Sequence, residues 1–176
     1  MKAAIRQERE NDYQITERVV QEAFRGAEYS DETEHLLVVK LRNSEGFVPE
    51  LSLVAEVDGE IIGHIMLTAL PIKNGNRQYG SLTLAPVSVL PRYQNQGIGS
   101  ALIKEGLKKA KELGFKSVVV LGHEKYYPRF GFKPASLWGI RAPFNAPREA
   151  FMALELEKGS LEGVSGIAVF PREFFE

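Results

Sequence analysis

The chain has 176 residues, 44% of them hydrophobic, and a formal charge of −1 from 22 basic and 23 acidic side chains. That suits one globular domain, residues 1–176, with a sizeable core, and gives no overall positive field to hold DNA or RNA. Cysteine is absent, which excludes disulfides, thiolate metal sites and a cysteine nucleophile. The opening MKAAIRQEREND has no apolar run of the signal-peptide kind, and no apolar segment approaches the roughly 18 residues needed to span a bilayer, so a cytoplasmic protein without a membrane partner is expected.

In chain order, Ala3 to Arg6 reads as a short strand. Asn11 or Asp12 is placed to cap a helix whose apolar positions Ile15, Val19, Val20, Ala23 and Phe24 recur at helical spacing, with Gly26 as its stop. A second helix is expected to begin near Ser30 or Asp31, where S-D-E-T-E puts carboxylates in the first turn, and to carry Leu36, Leu37, Val39, Lys40 and Leu41. After Gly46 and Pro49 the pattern changes to strands. LSLVAEV and EIIGHIMLTALPI flank an Asp58-Gly59 turn, and KNGNRQYG, with Asn74-Gly75, leads into SLTLAPVSV, so three consecutive antiparallel strands follow. The next helix has Ile98, Leu102, Ile103, Leu107, Ala110 and Leu113 as its apolar stripe and Gly114 as its stop. FKSVVVLG reads as a fully buried strand, parallel to the one before the helix. HEKYYPRFGF reads as a short helix ending by Gly131, the stretch with Pro134, Trp138, Pro143 and Pro147 as an irregular or edge segment, and FMALELE and GIAVF as further strands.

The junction between SLTLAPVSV and the long helix carries the chemistry. Gln94, Gly97 and Gly99 spell Q-x-x-G-x-G where an extended run gives way to a helix, and the first N–H groups of a helix are unpaired and reinforced by its dipole. Glycines let an anion approach those groups without a Cβ in the way, and a pyrophosphate is the natural guest. The spacing fits neither the P-loop, since Gly99 is followed by Ser100, Ala101 and Leu102, nor the dinucleotide fingerprint, which needs a glycine at position 102. A tight strand-to-helix turn without a ligand is the plainer alternative.

VSVLPRYQNQGIGSAL resembles the pyrophosphate loop of the GNAT superfamily of N-acetyltransferases, and YPRFGF (127–132) resembles that family's Y-x-x-x-G-F segment. LGHEKYYPRFGF and the C-terminal stretch are similar to the YhbS-like group of bacterial predicted acetyltransferases. The resemblance implies the GNAT-type acyl-CoA N-acyltransferase fold, an α/β (α+β) architecture with a mixed, mostly antiparallel central sheet flanked by helices. It implies acetyl-CoA as cosubstrate, with Val87, Ser88 and Val89 offering main-chain groups to the pantetheine and Gln94, Asn95, Gln96, Gly97, Ile98, Gly99 and Ser100 surrounding the pyrophosphate. It implies Tyr127 as the acid that protonates the departing thiolate, a role that suits a phenol because it is protonated at neutral pH; core packing is the alternative for both Tyr126 and Tyr127.

Arg92, Lys104 and Lys108 lie near enough in sequence to meet the 3'-phosphate of CoA, and none is assigned. The family's usual glutamate on the strand before the loop is missing from SLTLAPVSV. The base that takes the amine's proton is therefore open among Glu28, Glu56, His64, His123 and an ordered water; a histidine satisfied by neighbouring groups is the plainer reading of His64, and surface charge that of Glu28 and Glu56. The three histidines, His35, His64 and His123, do not fall at metal-ligand spacings, so no catalytic metal is expected. The acceptor is expected to be a small-molecule or peptide amine bound between the Phe24 to Ser30 segment and the Trp138 to Phe151 segment, where Glu28, Asp31 and Glu32 would favour a cation; capping of the second helix is the equal alternative for these carboxylates. A homodimer is compatible with this reading. The expected activity is acetyl transfer to a primary amine by direct attack; its rivals are transfer of a longer acyl group and non-catalytic binding of CoA or a nucleotide.

Overall fold

The computed structural model describes residues 2–176, and the chain divides into two units. The first comprises residues 1–68, 85–109 and 173–176, the second residues 69–84 and 110–172. Strands β3 (Glu60–Asn74) and β4 (Arg77–Val89) contribute to both.

In the first unit the strand order is β1-β2-β3-β4, where β1 is Ala4–Gln7 and β2 is Phe47–Val57. β2 is antiparallel to both of its neighbours, with Ile5 opposite Ala55 and Val54 opposite His64. The β2–β3 turn is the expected Asp58-Gly59, at φ 51° and 79°, the left-handed pair that closes a tight hairpin. Because side chains alternate along a strand, Ser52, Val54, His64 and Met66 share one face. Two helices lie on it, α1 (Tyr13–Phe24) and α2 (Glu34–Arg42). Val20, Val38, Leu41 and Met66 form a fully buried cluster there, edged by Phe24, Leu37, Phe47 and Phe174.

The helix α3 (Ile98–Glu112) meets the other side of the strands. A Cβ on Gly106 would stand 3.0 Å from Leu67 Cδ1 and 3.6 Å from Ile65 Cδ1, so this glycine lets α3 come close to β3. Ile98, Leu102, Ile103 and Ala110 are buried as the apolar stripe requires. Leu107 is half-buried and Leu113, beyond the last helical turn, is exposed.

Two expectations about the first helices shift. Asp12 occupies the cap position of α1 without making a cap bond; its carboxylate is taken by the Arg6 guanidinium at 2.7 and 3.1 Å and by the Arg9 amide at 2.8 Å. The second helix starts at Glu34 rather than near Ser30 or Asp31. Ser30 Oγ donates to Glu34 and Asp31 Oδ1 accepts from both Thr33 groups, while Tyr29 and Glu32 take left-handed φ values of 64° and 62°. These local bonds compete with helix formation and delay it.

In the second unit the order is β3-β4-β5-β8-β6, with β9 on β3 and β7 on β9. The strands are β5 (Ser117–Leu121), β6 (Lys133–Pro134), β7 (Ile140–Arg141), β8 (Phe151–Glu155) and β9 (Gly166–Ala168). β4 and β5 run parallel at Thr83 and Val119, as a strand-helix-strand crossover demands. β5 and β8 are antiparallel from Ser117↔Glu155 to Leu121↔Phe151. β6 and β7 arise inside the stretch expected to be an irregular or edge segment, and β6 ends the strand order. Gly166 has φ 128°, and a Cβ on it would stand 2.1 Å from the Lys73 carbonyl oxygen, so only glycine permits β9 to lie against β3 at this point. The architecture is α+β: a mixed, mostly antiparallel sheet with helices flanking it.

Candidate functional site

The glycine loop has the geometry its sequence predicts. β4 ends at Val89, a single turn of 3-10 helix spans Pro91–Tyr93, and α3 begins at Ile98. Asn95 and Gly97 take left-handed φ values of 63° and 84°, turning the chain sharply into the helix. Ala101 N donates to Gly97 O at 3.0 Å, so the amides of Ile98 and Gly99 precede the helix's own hydrogen-bond ladder. A Cβ on Gly97 would meet nothing within 4 Å, so the turn is open at that position. Gln94 Nε2 donates to Val89 O at 2.9 Å and Gln96 Nε2 to Arg92 O at 3.3 Å. The first of these ties the loop to the end of β4.

Val87, Ser88 and Val89 thus adjoin the loop within the first unit. Val87 is half-buried and Ser88 and Val89 are buried. Ser88 Oγ has no hydrogen-bond partner among the described residues, a costly state for a buried hydroxyl and a mark of a missing polar neighbour.

Tyr127 belongs to the second unit. It opens a 3-10 turn, Tyr127–Phe130, that Gly131 closes at φ 101°. Its ring is buried between edge-on Tyr126 and Phe132, at centroid distances of 5.2 and 5.7 Å. It also fills the space over Gly122, where a Cβ would stand 2.3 Å from Tyr127 Cε2. Burial, with a smaller contribution from Tyr126, pushes the phenol up to about 12. The hydroxyl therefore stays protonated throughout the neutral range, the form a proton donor needs.

The remaining charged candidates are separated by their surroundings. Arg92 pairs with Glu60 and lies over the Tyr93 ring; Lys104 and Lys108 are exposed. Glu56 accepts from Arg6 Nε at 2.5 Å, Glu28 is exposed, and His123 is exposed with its Nδ1 accepting from Lys125 N at 3.2 Å. β4 carries no carboxylate.

His64 differs from all of these. It is fully buried on β3, and desolvation pushes it down to about 4, against a smaller upward pull from Glu8 and with a further downward push from Arg42. Its Nε2 lies 2.9 Å from Ser52 Oγ, which donates to Glu8 Oε1 at 2.8 Å. Glu8 Oε2 in turn accepts from Arg42 Nη2 at 2.7 Å. Sequence reasoning did not find Glu8, Ser52 or Arg42 as one chain of contacts. The available signal was a polar residue on the inward face of two adjacent apolar runs, Ser52 in LSLVAEV and His64 in IIGHIML.

No group of three or more acidic or histidine side chains that could hold a metal occurs among the described residues, and none of their helices is long and apolar enough to cross a membrane.

The sequence model described as the Acetyltransferase (GNAT) family matches residues 4–132. The chain is 32% identical to the uncharacterized N-acetyltransferase YhbS of Escherichia coli K12 over 147 residues, 83% of this chain and 86% of that protein. It is 40% identical to the uncharacterized N-acetyltransferase YjhQ of the same organism over 114 residues, a match that spans 64% of this chain and 63% of that protein. The crystal structure of E. coli YhbS in complex with CoA superposes with a TM-score of 0.86 at 28% identity, covering 100% of this chain and 93% of that one. A GNAT family acetyltransferase from Brucella melitensis in complex with acetyl-CoA superposes with a TM-score of 0.80 at 34% identity, covering 98% of both chains. With its glycine loop, its sheet and its sequence all agreeing, the chain belongs to the GNAT family of acetyltransferases.

Proposed function

We propose that this protein transfers the acetyl group of acetyl-CoA to a primary amine by direct attack, with residues 1–176 acting as one catalytic domain. The observation that supports the reading is the left-handed turn at Gly97, open at its Cβ position, immediately before α3. Relatives crystallised with CoA and acetyl-CoA support it. Acetyl-CoA supplies a thioester already reactive toward amines. Val87, Ser88 and Val89 offer main-chain groups to orient the pantetheine, and Gln94 through Ser100 bind the pyrophosphate. Tyr127 holds a proton at its hydroxyl, ready for the departing sulfur.

Calorimetric titration of the purified protein with acetyl-CoA, CoA and ATP in parallel tests this. Binding of both CoA species and not of ATP is expected, and absence of acetyl-CoA binding would overturn the reading. One observation favours a second reading, non-catalytic CoA binding: the lack of any carboxylate on β4. Substitution of Tyr127 separates the two.

A further inference from the structure

His64 has a defined tautomer, set by the order of the groups behind it. The Glu8 carboxylate, held by the Arg42 guanidinium, can only accept hydrogen bonds. The single proton of Ser52 Oγ therefore goes to Glu8 Oε1. Ser52 Oγ then has only lone pairs for His64, so Nε2 of the imidazole carries the hydrogen. A neutral imidazole has one N–H, which leaves Nδ1 of His64 as a bare lone pair.

That lone pair is buried and without a hydrogen-bond partner among the described residues, as is Ser88 Oγ. The two residues neighbour one another across β3 and β4. Leu90 N donates to Ile62 O at 2.8 Å, and the Ser88 carbonyl oxygen lies 3.0 Å from the position of a Cβ on Gly63. Ser88 thus runs beside the Ile62 to His64 stretch, and it belongs to the segment proposed to orient the pantetheine.

The other end of the chain of groups is buried, the Arg42 and Glu8 side chains being 6% and 1% exposed, and borders a cavity. Glu8, Arg42, Tyr13 and Glu17 line a cavity of about 730 Å³. Arg42 is fixed there by Glu17 Oε2, 2.7 Å from Nη1, and by the Tyr13 ring, 3.8 Å from its guanidinium carbon. The charges felt at His64 are those of Glu8 and Arg42.

We propose that His64 Nδ1 accepts the proton shed by the acceptor nitrogen, through a water held by Ser88 Oγ, and that Ser52 and Glu8 are positioning residues that fix its tautomer. This rests on the amine acetylation proposed above. As the neutral amine forms its bond to the carbonyl carbon, the C–S bond breaks. One proton leaves nitrogen for His64, and one reaches sulfur from the Tyr127 hydroxyl, which is restored from solvent. His64 returns the proton from Nδ1 through the same water, so Nε2 keeps its hydrogen toward Ser52 and the tautomer is unchanged for the next turnover. A weak base suffices, because the nitrogen becomes acidic only while its new bond forms, and a neutral imidazole at the working pH is the competent form.

Two measurements test the proposal. Two-bond 1H–15N correlation spectra of histidine-labelled protein at neutral pH are expected to show His64 with hydrogen on Nε2 and a bare Nδ1. Ser52→Ala, which keeps the core shape, is expected to lose that uniform pattern. Hydrogen on Nδ1 in the wild type would overturn the proposal whatever the activity. The second measurement is steady-state kinetics of thiol release with acetyl-CoA and the fastest of spermidine, an amino-acid amide and a tripeptide with a free N-terminus. His64→Gln is expected to lower kcat on the order of 100-fold and Ser52→Ala about 10-fold, both with KM and acetyl-CoA affinity nearly unchanged. Acetyl-CoA binding and turnover with unaltered kcat in both variants would remove this role alone. No acetyl-CoA binding by the wild type would remove the reaction and this role together.

Discussion

At the scale of the residue, the strongest test is Tyr127. Its hydroxyl lies in a packed aromatic setting that raises it to about 12, so its proton is present throughout the neutral range. Tyr127→Phe keeps the ring that fills the space over Gly122 and removes only the oxygen. A fall in kcat on the order of 100-fold, with acetyl-CoA affinity by calorimetry nearly unchanged, is expected; unchanged kcat would assign the ring to packing and favour the non-catalytic reading. Tyr127 was legible because its spacing to Gly131 and Phe132 is a short local pattern. His64 was one of several candidates for a different reason. What distinguishes it from Glu28, Glu56 and His123 is contact with Ser52 and Glu8, residues brought to it by strand register across β1, β2 and β3, and register is not written in any single run of residues.

At the scale of the element, α3 combines two roles that glycine makes possible at separate points. At Gly97 the backbone is left-handed and the space beyond is open. Gly97→Val would impose a strained φ and place a branched side chain where the proposed pyrophosphate sits. Loss of measurable acetyl-CoA binding is expected by calorimetry, while circular dichroism shows the helices retained. At Gly106 the constraint is packing. Gly106→Val would press on Leu67 and Ile65 and is expected to lower unfolding stability by roughly 1–3 kcal/mol, read as a drop in the denaturant midpoint. The sequence showed where α3 begins and ends, because Gly97 and Gly114 punctuate an apolar stripe. It did not show that Gly106 lies on the packed face while Leu113 does not, since periodicity ranks positions by hydrophobicity and a glycine contributes closeness instead. The delayed start of α2 has the same kind of cause: Ser30 and Asp31 are good cap residues that here bond within their own loop, a choice between two local optima that composition does not decide.

At the scale of the whole molecule, buried charge shapes the response to acid. His64 is lowered from an ordinary 6.5 to about 4 in the folded protein, so the unfolded chain takes up its proton first as the pH falls. Stability from this group is complete above about pH 6.5, declines as the pH drops below that value, and is lost by about pH 4; the loss is on the order of 3 kcal/mol. Melting temperatures measured from pH 7 to pH 4 are expected to fall steeply for the wild type and less steeply for His64→Gln; parallel slopes would contradict the assignment. The architecture as a whole was legible from turns and periodicity together. Asp58-Gly59 and Asn74-Gly75 fixed the meander, and the helix between two apolar runs fixed the parallel β4–β5 pair. β6 and β7, each two residues long, lie among prolines and owe their pairing to partners distant in the chain, so nothing local announces them.

The make-up of the first unit, from three separate stretches of chain, also bears on the order of events during synthesis. The cluster of Val20, Val38, Leu41 and Met66 is edged by Phe174, which leaves the ribosome long after the other members. The helices α1 and α2 can therefore meet β3 while translation continues, yet this side of the core is sealed only once Phe174 has emerged.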